Sequence, residues 1–467
     1  MILGYVAERA VSAQSIAIQV NRREVSALGL ASQMIEAVKR LNPQLNAIVQ
    51  FDPAQVLKDA LDIDKRVDSG EKLPMAGVLF TVKDNLWVAG RRVSQGSKLF
   101  ENFIAPKDAW VVARLKALGA VMLGITNCSE FACKGVTDNL LYGQTSHPLD
   151  HSLTPGGSSG GAASALAAGL GHIALGTDAG GSTRRPAAHC GLVGLKPSVG
   201  LIPHPWGFVE PNYGQSVIGI FATSVADCAW VYDHLQAFDA NDPAGVPIDV
   251  GLKAGPLLNA GPAQTLRIAW SPQLGCDFAI DSDVLSALQT SVDRIKQAGV
   301  AVSLANPIWP AGVKEYPLLD TQLAGLHALY GSRSKHEKEK IDPQLVAQIE
   351  AGAQISTGQL AQALRLREQI VASLSRFFDQ YDVLLCPTAP VTAWSKELLA
   401  PTHIGGVAVG SRAHGAFTPL FNACGVPACS IPVATVNDLP VGLQVIAPKY
   451  EDARVLQFAH WVEGLKR

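Results

Sequence analysis

Two glycine-bracketed serine clusters dominate the middle of the chain, GGSSGG at 156–161 and GTDAGGSTRRPA at 176–187, with Ser158 in the first and Ser182 in the second. Glycine beside a polar residue marks a backbone path that other residues resist, or a close approach to it. Three chemistries compete for the pair. A phosphate cradle fits poorly, because neither cluster matches GxxxxGK[ST] or GxGxxG and no lysine follows either loop. A nucleophile elbow, the mark of an α/β-hydrolase esterase, is met formally by Gly156-Gly157-Ser158-Ser159-Gly160 and would make Ser158 the nucleophile. Its context fails, since HPLDHSLTP rather than an apolar strand precedes it, and His327, His336, His403, His414 and His460 sit in no recognisable motif. The third reading is a pair of structural turns around an alanine-rich helix at 162–170 and a strand, HIALGT.

The elements that must position these serines read as alternating helices and strands. EVSALGLASQMIEAVKRL (24–41) has helical spacing and is expected to stop before Asn42-Pro43. GVLFTV (77–82) is a short buried strand that delivers Lys83 to its end, and a helix (108–118) and a strand (120–126) follow. Further strands are expected at 265–270, 300–304, 381–390 and 439–448, and helices at 282–298 and 358–380. The pattern predicts an α/β fold: one large α/β/α sandwich whose mixed, twisted central sheet is covered by helices on both faces. No repeat or low-complexity linker divides residues 1–467, so a single domain is expected, with an N-terminal segment at 1–23 and a catalytic core segment at 75–200.

Composition narrows the function. The formal charge is −2, and lysine and arginine are scattered, which leaves no footprint for nucleic acid. The N-terminus lacks a basic n-region, and the most apolar stretch, from Ala416, carries Pro419, Pro427 and Pro432, so neither a signal peptide nor a membrane span is expected. The eight cysteines form no CxxC pair and no zinc spacing, and read as reduced thiols. A cytoplasmic location follows as the expectation. The alternating charges of SRSKHEKEKID (332–342) read as a solvated face.

The two clusters together, at this spacing, resemble the signature of the amidase signature family, the Ser-cisSer-Lys amidohydrolases. The resemblance extends through AGVLFTVKDN, GITNCSEFA, VLLCPTAP and FNACGVPACSIP, over about residues 24 to 465. It implies an amidase that hydrolyses a non-peptide carboxylic amide through an acyl-enzyme. Lys83 would take a proton from Ser158, which takes one from Ser182, the nucleophile; in the family the peptide bond before the middle serine, here Gly157-Ser158, is cis. A lysine acts as a base only when neutral, so burial must lower its pKa from about 10.4 by roughly three units. A lone lysine in this position would by default pair with Asp84 or an exposed carboxylate. The resemblance places the oxyanion hole at the main-chain N–H groups of Ala179, Gly180, Gly181 and Ser182, with Ser159 and Thr177 orienting the relay. It implies no metal and no cofactor.

Substrate choice is less legible. The glutamine-dependent amidotransferase members of the family carry an Asp at the position of Gly415 and an Arg near Ala347 or Gln348, and this chain has neither. Arg185 is expected to line the acyl pocket and favour an acidic or strongly polar substrate, whereas the structural alternative is an ion pair for both Arg184 and Arg185. Trp87, Trp206, Phe208, Tyr213 and Phe417 fall in segments that the family places near its substrate funnel, which makes an aryl or hydrophobic amide an equal alternative; Trp206 in particular is expected at the substrate. A homodimer, or a chain dependent on a small partner as in an amidotransferase complex, is the alternative to a self-sufficient enzyme.

Overall fold

The computed structural model describes residues 11–247, 253–260 and 265–465; the first ten residues of the expected N-terminal segment lie outside them. Eleven strands form one sheet: β1 (Ile48–Gln50), β2 (Leu79–Lys83), β3 (Val121–Thr126), β4 (Ile173–Asp178), β5 (Val193–Lys196), β6 (Val217–Ala222), β7 (Ile268–Trp270), β8 (Val302–Leu304), β9 (Val383–Pro387) and, after a short hairpin of β10 (His403–Ile404) and β11 (Val407–Ala408), β12 (Ala428–Val436) and β13 (Leu439–Ile446). Their order is β1-β3-β2-β4-β6-β5-β12-β13-β9-β7-β8. The pairings of β2 with β3 and β4, and of β7 with β8 and β9, are parallel, and the rest are antiparallel. This is the mixed α/β sheet expected from the sequence.

Alternation along the strands explains why helices cover both faces. Ile173 and Leu175 of β4, with Ile218 and Ile220 of β6, point into one core, together with helices Val225–Leu235, Ser282–Gln297 and Asp452–Gly464. Ala174 and Phe221, one residue out of phase, point to the other face, under helices Gly160–Ala167 and Arg184–Cys190. β9 divides likewise, with Val383 and Leu385 on the first face and Leu384 and Cys386 on the second, where Leu374 and Phe377 of helix Thr357–Phe378 pack. A period of two in a strand buried on both sides produces the continuous apolar runs seen in the sequence.

One boundary differs. The helix expected to stop before Asn42 runs from Ala27 to Leu45 with Pro43 inside its last turn. Pro43 there forfeits only one backbone bond near the helix end. The end itself is made by Asn46, left-handed at φ 48°, and by the Asn42 side chain, whose Oδ1 accepts the N–H groups of Ala47 and Ile48. The tract 332–342 includes a short helix, Lys335–Lys338, capped reciprocally by Ser334 and Glu337; Arg333, Lys335 and Glu339 are exposed, Glu337, Lys338 and Lys340 half-buried, and Asp342 buried. The eight cysteines are free thiols, six of them buried. No described helix is long and apolar enough to cross a membrane.

Candidate active site

Because β2 and β4 run parallel and side by side, with Val82 opposite Leu175, their carboxyl ends meet at one edge. Lys83 ends β2, and Thr177 stands one residue before the end of β4. The Lys83 Nζ donates to Thr177 Oγ1 (2.9 Å) and to Ser158 Oγ (2.7 Å). Ser158 lies just ahead of helix Gly160–Ala167, in a loop clamped by Thr137, whose Oγ1 donates to the Gly156 carbonyl and accepts the Gly160 N–H. The peptide bond between Gly157 and Ser158 is cis.

Lys83 is fully buried and has no carboxylate partner among the described residues; burial pushes its pKa down to about 8, with Asp178 pulling weakly the other way. Its neighbour Asp84 does not pair with it. That carboxylate accepts the N–H groups of Ser94 (3.0 Å) and Gly96 (3.1 Å) and the Ser94 hydroxyl. Ser159, beside Ser158, donates its hydroxyl to the Thr177 carbonyl (3.3 Å) and its N–H to the Ser182 carbonyl (3.3 Å), which ties the two serine clusters together.

The turn holding Ser182 is built on Asp178. Its carboxylate accepts the N–H groups of Gly181 (2.8 Å) and Thr183 (3.1 Å), the Nε and Nη2 of Arg184 (3.0 and 2.8 Å), and Asn422 Nδ2 (2.9 Å). Burial alone would raise this carboxyl; the Arg184 charge and the hydrogen bonds outweigh it and hold Asp178 well below the usual carboxylate range. These hydrogen bonds correct one expectation: the N–H of Gly181, expected among the oxyanion-hole donors, is committed to the Asp178 carboxylate. Gly181 is required for another reason, its φ of +109° and a Thr418 hydroxyl where a Cβ would stand.

Two adjoining cavities meet at Ser182. The larger, about 490 Å³, is lined by Ala179, Gly180 and Ser182 together with Arg185, Tyr316, Gln348, Arg412 and His414. The smaller, about 30 Å³, is lined by Ser158 and Ser182, with Asn85, Thr177 and Phe208 among its walls. Among the described residues, no aspartate or glutamate lines the larger cavity. Its Lys134 is paired with Asp138 and Asp342, but two of its cations lack a counter-ion among the described residues. Arg185 is buried, and its side chain donates to the carbonyls of Gly181 (3.4 Å) and Gly157 (3.5 Å). Arg412 lies over the Tyr316 ring at 4.9 Å and donates to Gln348 Oε1 (3.1 Å). The structural ion pair therefore belongs to Arg184 alone. At Gly415 a Cβ would overlap the Arg185 guanidinium, so the missing side chain is what admits this arginine.

Trp206 is the second correction: its indole N–H is spent on the Asp108 carbonyl (2.9 Å), Lys107 lies over its ring, and it lines neither cavity. Phe417 is core, Tyr213 is exposed, and Trp87 packs behind Phe208. Sequence reasoning overlooked Tyr316, Arg412 and His414, which sit in no motif. It also left Asp178 without a role, although a buried Arg184 in the same motif required an acid nearby.

The family model for amidases matches residues 30–456. The chain is 33% identical to an acylamidase of Rhodococcus erythropolis over 98% of its own length and 95% of that protein's. It is 31% identical to a component of the glutamyl-tRNA(Gln) amidotransferase of Chromobacterium violaceum, with 95% of each covered. Among solved structures, a bacterial aryl acylamidase of the amidase signature family superposes with a TM-score of 0.90 over 97% of this chain and 96% of that one, at 24% identity, a likeness of fold. With the sheet, the match along nearly the whole chain and these relatives together, the chain belongs to the amidase signature family and is a hydrolase of amide C–N bonds.

Proposed function

We propose that the chain hydrolyses a non-peptide carboxylic amide through an acyl-enzyme on Ser182, with Ser158 and Lys83 as the proton relay. Neutral Lys83 accepts the Ser158 proton while Ser158 accepts that of Ser182, and Ser182 Oγ adds to the amide carbon. The negative charge that develops on oxygen is met by the N–H groups of Ala179, Gly180 and Ser182. Ser158 then returns a proton to the nitrogen, the C–N bond breaks, and the amine leaves; water attacks the ester by the reverse relay, releasing the acid. The observation that carries this reading is the hydrogen bond from a buried, carboxylate-free Lys83 to Ser158 at 2.7 Å. Ser159 and Thr177 position the relay.

Arg185, with Arg412, favours an acyl group that bears a carboxylate, because two guanidinium groups face a cavity with no acid among its described walls. The glutaminase reading is weaker, since Arg185 fills the space beside Gly415 and neither Ala347 nor Gln348, near which the family's arginine is expected, is an arginine. The test uses the purified chain alone. A fluorophosphonate should label Ser182, and small amides should turn over. Labelling of Ser158 instead would restore the esterase elbow, and no turnover together with no label would point to a required partner.

A further inference from the structure

Tyr316 lines the large cavity together with Ser182, and the relay of Lys83, Ser158 and Ser182 gives it no part. Its hydroxyl presses on the turn that leads into Ser182. A Cβ at Gly180 would overlap that hydroxyl, and at the next residue, Gly181, the Arg185 Nε stands 3.0 Å from where a Cβ would lie. Gly180 has no left-handed φ to call for glycine; its bare Cα is what admits the hydroxyl. Resting on the carboxylate-bearing substrate proposed above, we infer that Tyr316 is a specificity-determining residue: its hydroxyl donates to the acyl group's carboxylate beside Arg185, and so seats that carboxylate against Gly180 and Gly181.

The hydroxyl is free while its ring is held. It has no hydrogen-bond partner among the described residues. The Arg412 guanidinium lies over the ring at 4.9 Å and donates to Gln348 Oε1 (3.1 Å), which also accepts from Gln322 Nε2 (3.3 Å). Gln322 and Gln348 belong to helices Leu319–Tyr330 and Pro343–Gly352, so two helices of the cavity wall fix the arginine that fixes the ring. The chain leading to Tyr316 is anchored as well. Trp309 donates its indole N–H to the Leu274 carbonyl (2.7 Å), and the Tyr316 carbonyl accepts the Leu319 N–H (3.2 Å). A donor held in this way loses little freedom when a ligand arrives.

The chemistry of the three groups selects the ligand atom. Guanidinium groups only donate, whereas a phenol both donates and accepts. With Arg185 and Arg412 beside it, the Tyr316 oxygen faces donors, and its own proton is left for an acceptor in the cavity. A carboxylate only accepts, and its two oxygens offer about four lone-pair sites for the guanidinium and the hydroxyl to share. An acyl chain that ends in a methyl group gives the hydroxyl nothing to bond.

The p-nitroanilides of glutaric acid and pentanoic acid match in chain length and leaving group and differ in the terminal carboxylate. The wild-type ratio of kcat/KM should favour the glutaric compound, and Tyr316→Phe, which keeps the ring under Arg412, should cut that ratio about tenfold, with the loss carried in KM. In an Arg185→Gln background the same change should cost about threefold or less, because hydroxyl and guanidinium hold one carboxylate. Protection of Ser182 from a fluorophosphonate by glutarate, relative to pentanoate, reads the same preference without turnover. A ratio that survives Tyr316→Phe, a loss confined to kcat and equal for both anilides, or a full tenfold loss in both backgrounds overturns the inference. If the wild type shows no preference in either assay, the carboxylate-bearing substrate fails and the inference with it; if the preference is present and Tyr316→Phe leaves it intact, the assignment of Tyr316 alone has failed.

Discussion

Replacing Lys83 with methionine should remove activity and, near neutral pH, relieve a burden on stability. Lys83 is fully buried, and its pKa lies at about 8 against an ordinary value of 10.5. That fall corresponds to about 3 kcal/mol. The sign follows from proton binding. Between about pH 8 and about pH 10.5 the unfolded chain holds the lysine proton and the folded one does not, so stability rises with pH across that window; below it the full cost is present. Lys83→Met has no such group. It also leaves Ser158 and Thr177 without the Nζ donor. Urea unfolding of both proteins at intervals from pH 7 to 10.5 should therefore show the wild type gaining about 3 kcal/mol relative to the variant, nearly all of it above pH 8. In parallel, wild-type kcat/KM should climb tenfold per pH unit up to about 8 and then level, while the variant loses about 1,000-fold and that limb disappears. A stability difference that stays flat with pH would refute the claim that a desolvated lysine sits at this site.

Substitution of the two unpaired cavity arginines, Arg185→Gln and Arg412→Gln, should each raise KM for a carboxylate-bearing amide about tenfold, the worth of one charge-assisted hydrogen bond, with kcat little changed and neutral amides unaffected. Equal KM changes for both substrate classes in steady-state assays would remove either residue from substrate recognition. Arg184→Leu leaves Asp178 buried without its counter-charge and should cost about 3–5 kcal/mol in urea unfolding, and a loss under about 1 kcal/mol would contradict the network drawn around that carboxylate.

Much of this was legible in sequence, for reasons that differ by region. Strands buried on both faces announce themselves as unbroken apolar runs, which is why β2 and β4 could be placed, and with them the edge where Lys83 and Thr177 meet. The helix past Asn42 was cut short because proline was weighed by its interior cost, whereas in a final turn it removes almost nothing and the Asn42 side chain makes the stop. Ala179, Gly180 and Gly181 look equivalent as letters. Only the folded turn shows that Asp178 has claimed the Gly181 amide. Trp206 carries an aromatic ring into the right segment, but a single indole hydrogen bond to Asp108 turns it away. Arg412 and Tyr316 come from distant parts of the chain with no local pattern, and only tertiary structure brings them beside Arg185.

The ring around Asp178 reaches far along the chain. Arg184 donates from Nη1 to Gln444 Oε1 (2.7 Å) and to the Thr418 carbonyl (3.1 Å), and Asn422 bonds both the carboxylate and the carbonyl of Asp178. Gln444 in turn holds the Phe417 carbonyl (2.9 Å). The turn that carries Ser182 is thus finished by residues made long after it. A ribosome-bound chain that has emerged only as far as β9 already contains Lys83, Ser158 and Ser182, yet its Arg184 and Asp178 still lack Thr418, Asn422 and Gln444. Contacts of such long sequence separation form late. Hydrolytic competence is in this sense the last thing the polypeptide acquires, and a nascent or C-terminally clipped chain carries the full set of reactive side chains without the frame that aims them.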